Sequence, residues 1–244
     1  MELWRKNLYI LWGTQFLAMV GMNLVVPFLP FFIRQIGVTD PTELARWSGL
    51  VFSGPFVLSF IATPIWGNLG DRYGRKIMVV RAIFGLALSQ VLIGFSQNVV
   101  QLLIFRIVQG AISGFIASAL ALVSTNTPKD RIGYALGFMQ SSTAGGMVLG
   151  PFVGGLLADL VGYREIFFVT AALCAVGGVV VMLKVQEIAR GTVDGRKFTV
   201  RENYMLMYSD KRLRIVGLTL IVGQISVLMI EPIFDKLRNI QKMA

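Results

Sequence analysis

Seven long, predominantly apolar runs constrain the fold of this chain more than any other feature of its sequence. A helix needs about 20 apolar residues to cross the hydrocarbon core of a bilayer. The runs approach or exceed that length and are rich in Gly, Leu, Val and Ile, without the alternation of a membrane β-barrel. They cover residues 8–33, 47–69, 77–95, 99–123, 132–158, 166–183 and 213–230. The sequence therefore predicts an all-α membrane protein, with the lipid bilayer as its surroundings.

Basic residues concentrate in alternate connectors and give the chain a net charge of +10. The connectors after the second, fourth and sixth runs are rich in Lys and Arg, whereas the other connectors hold only Arg34, Arg46 and Arg164. Because positively charged loops stay in the cytoplasm, this pattern predicts a multi-pass protein of the cell (plasma) membrane with a cytoplasmic N terminus. The charge follows topology, so nucleic acid is not expected as a partner.

The spacing of the runs predicts the domain organisation. Short connectors join the first six runs, so consecutive helices should be antiparallel neighbours. The expected units are a six-helix transmembrane half over 1–187, a cytoplasmic linker over 188–212, a seventh transmembrane helix over 213–231 and an atypical tail over 232–244. The linker is the one long polar stretch in the sequence.

An internal echo relates two connectors of the predicted half. The segment GNLGDRYGRK at 67–76 aligns with GLLADLVGYR at 155–164, matching Gly67 with Gly155 and Asp71 with Asp159. The first segment ends the second run and the second ends the fifth, on opposite sides of the membrane. Either the match is chance, since Gly, Leu and Asp suit many helix ends, or the half contains two inverted three-helix repeats, as secondary transporters do.

The segment 67–76 also combines charges and glycines in one short connector. Its glycines permit a tight reversal and close helix approach, and its charges can meet helix ends and anionic lipid. The pattern G-x-L-x-D-R-x-G-R-K resembles the loop 2–3 signature of the major facilitator superfamily. That resemblance implies a conformational latch that favours one face of an alternating-access cycle. The latch would comprise Gly67, Asp71, Arg72, Gly74, Arg75 and Lys76.

One arginine lies deep within the first six runs. Arg106 follows Val99 by about 10 Å along a helix, at 1.5 Å per residue, where an unpaired cation is costly. Either it snorkels to the interface or it serves a function. The run FRIVQG resembles the helix 4 motif of proton-coupled members of the superfamily, which implies that Arg106, Gln109 and Gly110 take part in proton coupling. Glu231, in a sequence that resembles the exit of helix 7, is a further candidate.

The fifth run carries glycines at four-residue spacing. These glycines share one helix face and allow another helix to approach closely, and the proline beside them should bend the helix. The form G-x-x-x-G-P-x-x-G-G resembles the antiporter motif of drug:proton exporters, which implies a seal between helix 5 and helix 8. The motif residues are Gly146, Gly150, Pro151, Gly154 and Gly155.

Five side chains are candidates for a substrate cavity. Methionine side chains are flexible and can repack around different apolar drugs. Amide side chains seldom face lipid. The candidates are Gln15, Met22 and Asn23 in the first run and Met139 and Gln140 in the fifth. Ordinary core packing explains each of them equally well, and Asn23 can instead cap a carbonyl that Pro27 leaves free.

The resemblance extends over roughly residues 4–234 and is strongest to bacterial multidrug resistance exporters of the drug:proton antiporter group. It implies the N-terminal half of a twelve-helix fold, stopping after helix 7 and lacking its C-terminal half. The implied activity is export of drugs or small amphiphilic molecules by proton antiport, driven by the proton gradient without a cofactor or metal.

Two further classes of function stay open, and two others conflict with the sequence. An importer of another small solute and a non-transporting membrane fragment remain open. A retinal protein is excluded because the run 213–230 contains no lysine, and an intramembrane Ser–His protease because the chain has no histidine. No enzymatic activity is expected.

Overall fold

The computed structural model describes residues 2–112 and 114–187, with residues 209, 215 and 219 as isolated helical positions. The chain divides into two compact units, Met1–Asp194 and Gly195–Ala244. All helices described below belong to the first unit. Apart from the three isolated positions, the predicted linker 188–212, seventh helix 213–231 and tail 232–244 lie outside the described residues, as does Glu231.

The described part of the first unit is built from helices joined by short connections. These are α1 (Leu3–Val25), α2 (Leu29–Gln35), α3 (Pro41–Tyr73), α4 (Arg75–Gly94), α5 (Val99–Ile112), α6 (Phe115–Asn126), α7 (Ile132–Val161) and α8 (Glu165–Lys184). They form six segments long and apolar enough to cross a membrane, here termed spans 1 to 6: Leu3–Gln35, Pro41–Tyr73, Arg75–Gly94, Val99–Asn126, Lys129–Ala158 and Glu165–Lys184. The helices predicted for the first six apolar runs are confirmed.

Spans 1 and 4 are each divided into two helices. In span 1 a 3₁₀ turn at Val26–Phe28 separates α1 from α2, where Pro27 and Pro30 predict a kink. In span 4, α5 ends at Ile112 and α6 begins at Phe115, and Gly114 has φ +105°. The run predicted over 99–123 therefore forms one span that consists of two helices. A left-handed residue cannot continue a right-handed helix, and the apolar pattern does not reveal it because both halves are apolar.

Consecutive spans run in opposite directions and pack as an antiparallel bundle. We term the end at which α1 begins and α8 ends the near end, and the opposite end the far end. Helix α1 packs on α7 and α8, α3 on α5, and α4 on α8 and α6. Two hydrophobic clusters fill the interior. The near-end cluster includes Leu8, Leu11, Val79, Leu122 and Val181, and the far-end cluster includes Phe32, Ile93, Leu102, Ile166 and Phe167.

The two segments of the internal echo end their helices in the same way. Gly74 follows α3 with φ +104° and ψ 140°, and Gly162 follows α7 with φ +95° and ψ 165°. Each donates its N–H to a carbonyl one turn earlier, Gly70 at 3.0 Å and Ala158 at 3.1 Å. Positive φ is a conformation that glycine adopts without the Cβ penalty, so the matched glycines mark equivalent positions.

The residues that follow these glycines make reciprocal contacts between spans 3 and 6. At the near end, Lys76 Nζ at the start of span 3 donates to the carbonyl of Met182, near the end of span 6, at 2.8 Å. At the far end, Arg164 Nη2, immediately before span 6, donates to the carbonyl of Ser96, just after span 3, at 2.9 Å. This exchange of ends agrees with the predicted pair of inverted three-helix repeats.

Spans 2 and 5, which the repeat relates, are the least buried. Only 11% of the apolar window of span 2 and 28% of that of span 5 are buried, against 35% or more for the others. Phe60 of α3 is 75% exposed and Val148 of α7 is 73% exposed. Both helices therefore present apolar faces to their surroundings.

Candidate functional site

Arg75 connects three helices at the near end. Its Nη2 lies 2.9 Å from Asp71 Oδ1 in the last turn of α3, and its Nη1 donates to the carbonyl of Ala121 in α6 at 2.9 Å. The Arg75 side chain is 29% exposed and that of Asp71 66%. A guanidinium can satisfy several acceptors at fixed angles, so one side chain holds the end of α3 and the middle of α6 against the start of α4.

Glu187 completes the network from the chain segment after α8. Its Oε1 accepts from the backbone N–H of Arg75 at 2.8 Å, and its Oε2 from that of Lys76 at 3.1 Å. The first N–H groups of a helix lack helical partners and favour negative charge. Asp71 is the acidic residue of the motif that lies nearest in sequence to this helix start. The structure assigns the position to Glu187, because α3 extends through Asp71 to Tyr73.

The other residues of the predicted latch differ in their surroundings. Only Gly74 makes the reversal, whereas Gly67 and Gly70 lie inside α3. A methyl group on Gly70 would lie 3.2 Å from Met78 Cγ, so this glycine permits a close contact with α4, and Gly67 faces open space. The guanidinium of Arg72 lies 5.4 Å from the centre of the Tyr73 ring. The expected reversal at all three glycines is thus confined to one.

The side chains of Asn7 and Asn126 and the backbone of Gln186 form a second set of contacts at the near end. The carbonyl of Gln186 accepts from Asn7 Nδ2 at 2.6 Å and from Asn126 Nδ2 at 3.1 Å. The N–H of Gln186 donates to Asn7 Oδ1 at 3.2 Å. These bonds join the start of α1, the end of α6 and the segment that follows α8. Sequence reasoning missed Asn7, Asn126 and Glu187, because isolated polar residues near a helix end carry no motif.

Arg106 and Gln109 form a polar pair within α5. Arg106 Nη1 lies 3.2 Å from Gln109 Oε1. Arg106 Nε and Gln109 Nε2 are buried without a hydrogen-bond partner among the described residues. Gly110, the third residue of the predicted proton-coupling motif, packs directly against the carbonyl of Pro55 in α3. The pair therefore offers two donors to an acceptor, and the glycine sets the distance between spans 2 and 4.

The glycine face of α7 packs against α1. A methyl group on Gly150 would lie 2.5 Å from Asn23 Cβ, one on Gly154 would lie 2.6 Å from the carbonyl oxygen of Leu24, and Gly146 packs against Met19. By resemblance, this face was expected to meet helix 8 of a second half. In the first unit, α1 covers it, and spacing alone could not identify which helix does so.

The remaining motif residues of α7 point elsewhere. Gly155 has open space around its Cα, and Pro151 lies within the helix with an exposed side chain. Proline cannot donate to the carbonyl one turn earlier, which leaves that carbonyl without its helical partner. These two residues thus lie outside the contact with α1.

Two of the five candidate cavity residues lie inside the interface between α1 and α7. Gln15 is fully buried, and its Nε2 donates to the carbonyl of Met139 at 3.1 Å and to Thr143 Oγ1 at 3.0 Å. Met139 is also fully buried. Each therefore has a packing role within the first unit.

The other three candidates are more accessible. Met22 and Asn23 are half-buried and Gln140 is exposed. Asn23 Nδ2 donates to the carbonyl of Met19 at 2.8 Å, one turn earlier, and not to a carbonyl that Pro27 frees. The five side chains therefore do not share a single surface.

A cavity lies beside the near-end network. It measures about 200 Å³ and lies between α3, α4 and α6. Its lining includes Trp66, Gly70, Asp71, Arg75, Gly114 and Ala121. Small residues on α3 and α6 leave this space open, whereas α3 and α5 are in direct contact at Gly110.

Six apolar spans in two inverted triplets, with charged groups at one end and a polar pair inside one span, define a multi-pass membrane protein of secondary-transporter architecture. The sequence model of the Major Facilitator Superfamily matches residues 11–241, and the chain belongs to that family. Members of this family are transporters and not enzymes, and the expectation that no bound cofactor is needed follows from that membership.

The chain is similar to proteins named multidrug resistance protein MdtG. It is 44% identical to that of Proteus mirabilis (strain HI4320) over 184 residues, covering 75% of this chain and 46% of the relative. It is 38% identical to that of Escherichia fergusonii over 230 residues, covering 94% and 56% respectively. The chain thus spans about half the length of the curated relatives it matches.

A solved structure supports the fold. The crystal structure of the human organic anion transporter MFSD10 (TETRAN) superposes with a TM-score of 0.68 over 83% of this chain and 50% of that chain. The sequence identity is 16%, so the likeness concerns the fold alone.

Proposed function

We propose that this chain is one half of a drug:proton antiporter that exports drugs or other small amphiphilic molecules by alternating access. The observation that carries the proposal is its 38% identity, over 94% of its residues, to a protein named multidrug resistance protein MdtG. The proposed location is the inner (plasma) membrane, with the N terminus and the near end facing the cytoplasm. The excess of basic residues in the near-end connectors supports that orientation.

The near-end network is the proposed conformational latch. Asp71, Arg75 and Lys76 have partners within the first unit, and Asp71 keeps 66% of its side chain exposed. An exposed carboxylate beside a cavity can accept a further donor from a second half. Formation of such a contact would favour the state closed at the near end, and its loss would release that state.

The pair of Arg106 and Gln109 is the proposed coupling site. Two buried donors without acceptors are unfavourable in an apolar span, so a proton-binding carboxylate or a water chain would stabilise them. Glu231, in the chain beyond the described helices, stays the proposed acid. Gly110 supports the site by holding span 4 on span 2.

The proposed drug cavity includes Met22, Asn23 and Gln140. The second half is the proposed partner of spans 2 and 5 within the membrane. The glycine seam of α7 acts in this proposal mainly within the first unit, where it fixes α7 on α1. Pro151 and Gly155, outside that seam, are the residues left for contact with the second half.

The proposal is tested by proton-driven efflux in inside-out vesicles. The chain would be expressed alone and together with the second half of a multidrug resistance relative, and the transport of several cationic dyes and antibiotics measured after a proton gradient is imposed. We expect dye movement only when the second half is present, and we expect a protonophore to abolish that movement.

Other results decide between the alternatives. Transport of the solute in the direction opposite to export would indicate an importer. Absence of any proton-linked movement with the second half present, across the whole substrate panel, would indicate a non-transporting fragment and end the proposal. A chain in which Arg46, an exposed far-end arginine paired with Glu43, is replaced by alanine serves as the matched control.

A further inference from the structure

A second cation lies inside the apolar spans, and the proposed function does not use it. Arg81 lies in α4 about 9 Å from the start of the helix, at 1.5 Å per residue. A cation at this depth in an apolar span is costly. Its guanidinium carbon lies 3.4 Å from the centre of the Trp66 ring, so the electron-rich ring face stabilises the charge and the charge holds the ring in place.

Trp66 in turn caps the end of α5. Its Nε1 donates to the carbonyl of Ala111 at 2.7 Å. Ala111 lies in the last turn of α5, which ends at Ile112, and the last carbonyls of a helix take partners from outside the helix. The indole N–H is such a partner for the carbonyl of Ala111. A residue of span 2, oriented by a residue of span 3, therefore completes a helix of span 4.

Two packing contacts hold the same helix end. Gly110 lies directly against the carbonyl of Pro55 in α3, and Ile112 lies directly against Gly85 in α4. The three consecutive residues 110, 111 and 112 are thus each fixed on span 2 or span 3. A helix end held at three successive positions cannot rotate about its axis without breaking one of these contacts.

The clamped end determines where the donors of the polar pair point. Gln109 immediately precedes the clamped residues, and Arg106 lies one turn earlier on the same helix. We propose that Trp66, held by Arg81, is a positioning residue for the Arg106–Gln109 pair. It fixes the rotation of α5 and with it the directions of Arg106 Nε and Gln109 Nε2, two buried donors without a partner among the described residues. The inference rests on the proposed function for the role of that pair, but the clamp itself is measurable without transport.

The test measures the reaction of single cysteines with N-ethylmaleimide in membranes that contain the full chain. Cys174, the only native cysteine, is first replaced by alanine. Gln109→Cys then reports on the clamped end of α5. Leu102→Cys, at a fully buried position of the same helix near the far end, is the matched reference. Each reporter is combined with Trp66→Phe, Arg81→Gln or Arg81→Lys.

We expect Trp66→Phe and Arg81→Gln to raise the labelling rate at position 109 about fivefold, the effect of losing one buried interhelical hydrogen bond. The rate at position 102 should stay unchanged. Arg81→Lys keeps a cation over the ring and should keep position 109 protected. Where Trp66→Phe lowers the amount of folded chain, Arg81→Gln carries the test, since it retains the tryptophan side chain and removes only the cation over its ring.

Two labelling results would overturn the inference. The first is an unchanged rate at position 109 in both Trp66→Phe and Arg81→Gln. The second is an equal rise at positions 102 and 109, which indicates general loosening and no positioning of one helix end.

A transport arm separates this inference from the proposed function. With the second half present, Trp66→Phe should lower the maximal efflux rate while leaving the KM for dye unchanged, since it misplaces the coupling pair and not the cavity. Efflux by the unaltered chain without a labelling response contradicts the clamp alone. A labelling response with no efflux by the unaltered chain contradicts the proposed function alone.

Discussion

Glu187 Oε1 accepts a hydrogen bond from the backbone N–H of Arg75 at 2.8 Å, joining the chain after α8 to the start of α4. This contact places an acceptor at a helix start that has no capping side chain of its own, since Gly74 precedes it. The side chain of the same residue, Arg75, contacts Asp71 and the carbonyl of Ala121. The near-end charges are therefore organised by a residue outside the motif that first draws attention to them.

Removal of the Glu187 carboxylate should destabilise the bundle. Glu187→Ala leaves the N–H groups of Arg75 and Lys76 without their acceptor and should lower the free energy of unfolding by about 1 kcal/mol, as loss of a helix cap does. Glu187→Gln, which keeps one oxygen, should have a smaller effect. Unfolding in detergent measures both. Glu43→Ala, which breaks an exposed pair with Arg46, is the control, and equal stability of Glu187→Ala and this control would contradict the capping role.

The glycine seam between α7 and α1 gives a second prediction. Gly150→Ala forces a methyl group against Asn23 and should destabilise the chain by about 1–3 kcal/mol, the usual cost of overpacking. Gly155→Ala meets open space and should be neutral or slightly stabilising, because alanine favours a helix by about 0.5–1 kcal/mol. Denaturant unfolding in micelles compares the two. Similar losses in both variants would mean that α1 does not set the requirement for glycine.

The reciprocal contacts of Lys76 and Arg164 predict a matched pair of effects. Lys76→Met and Arg164→Met each remove one hydrogen bond between spans 3 and 6 and should each cost about 0.5–1.5 kcal/mol. Since the two sites lie at opposite ends of the bundle, the double variant should show the sum of the single losses. Thermal unfolding of the three variants checks this. Strong non-additivity would show that the two ends are coupled.

The proposed coupling site predicts a loss of transport without a loss of folding. With the second half present, Arg106→Ala should lower proton-driven dye efflux at least about tenfold, equivalent to 1.4 kcal/mol in the barrier. Amounts of folded protein should stay close to those of the unaltered chain, since removal of a buried cation with an unsatisfied donor relieves a cost. Efflux in inside-out vesicles and the yield of folded chain are measured together. Full activity of Arg106→Ala would exclude the residue from coupling.

The sequence was sufficient for some parts of the site and not for others. Arg75 and Asp71 could be selected from one short segment because both are charges in a tight connector. Glu187 could not, because it is distant in sequence and only the antiparallel return of α8 brings it to α4. The glycines of α7 predicted a close helix contact correctly, but the face of another helix decides the partner, and that partner is α1.

The sequence by itself determined the six spans, because the bilayer requires about 20 apolar residues in one stretch and that requirement is local. The echo between 67–76 and 155–164 pairs Gly74 with Gly162 but left a chance match open, and the positive φ of both glycines in the structure supports their equivalence. Only the tertiary structure decided the left-handed conformation of Gly114, the contacts of Trp66 with Arg81 and α5, and the cap of Glu187 on α4. These features depend on which helix ends meet, and packing of the whole bundle sets those meetings.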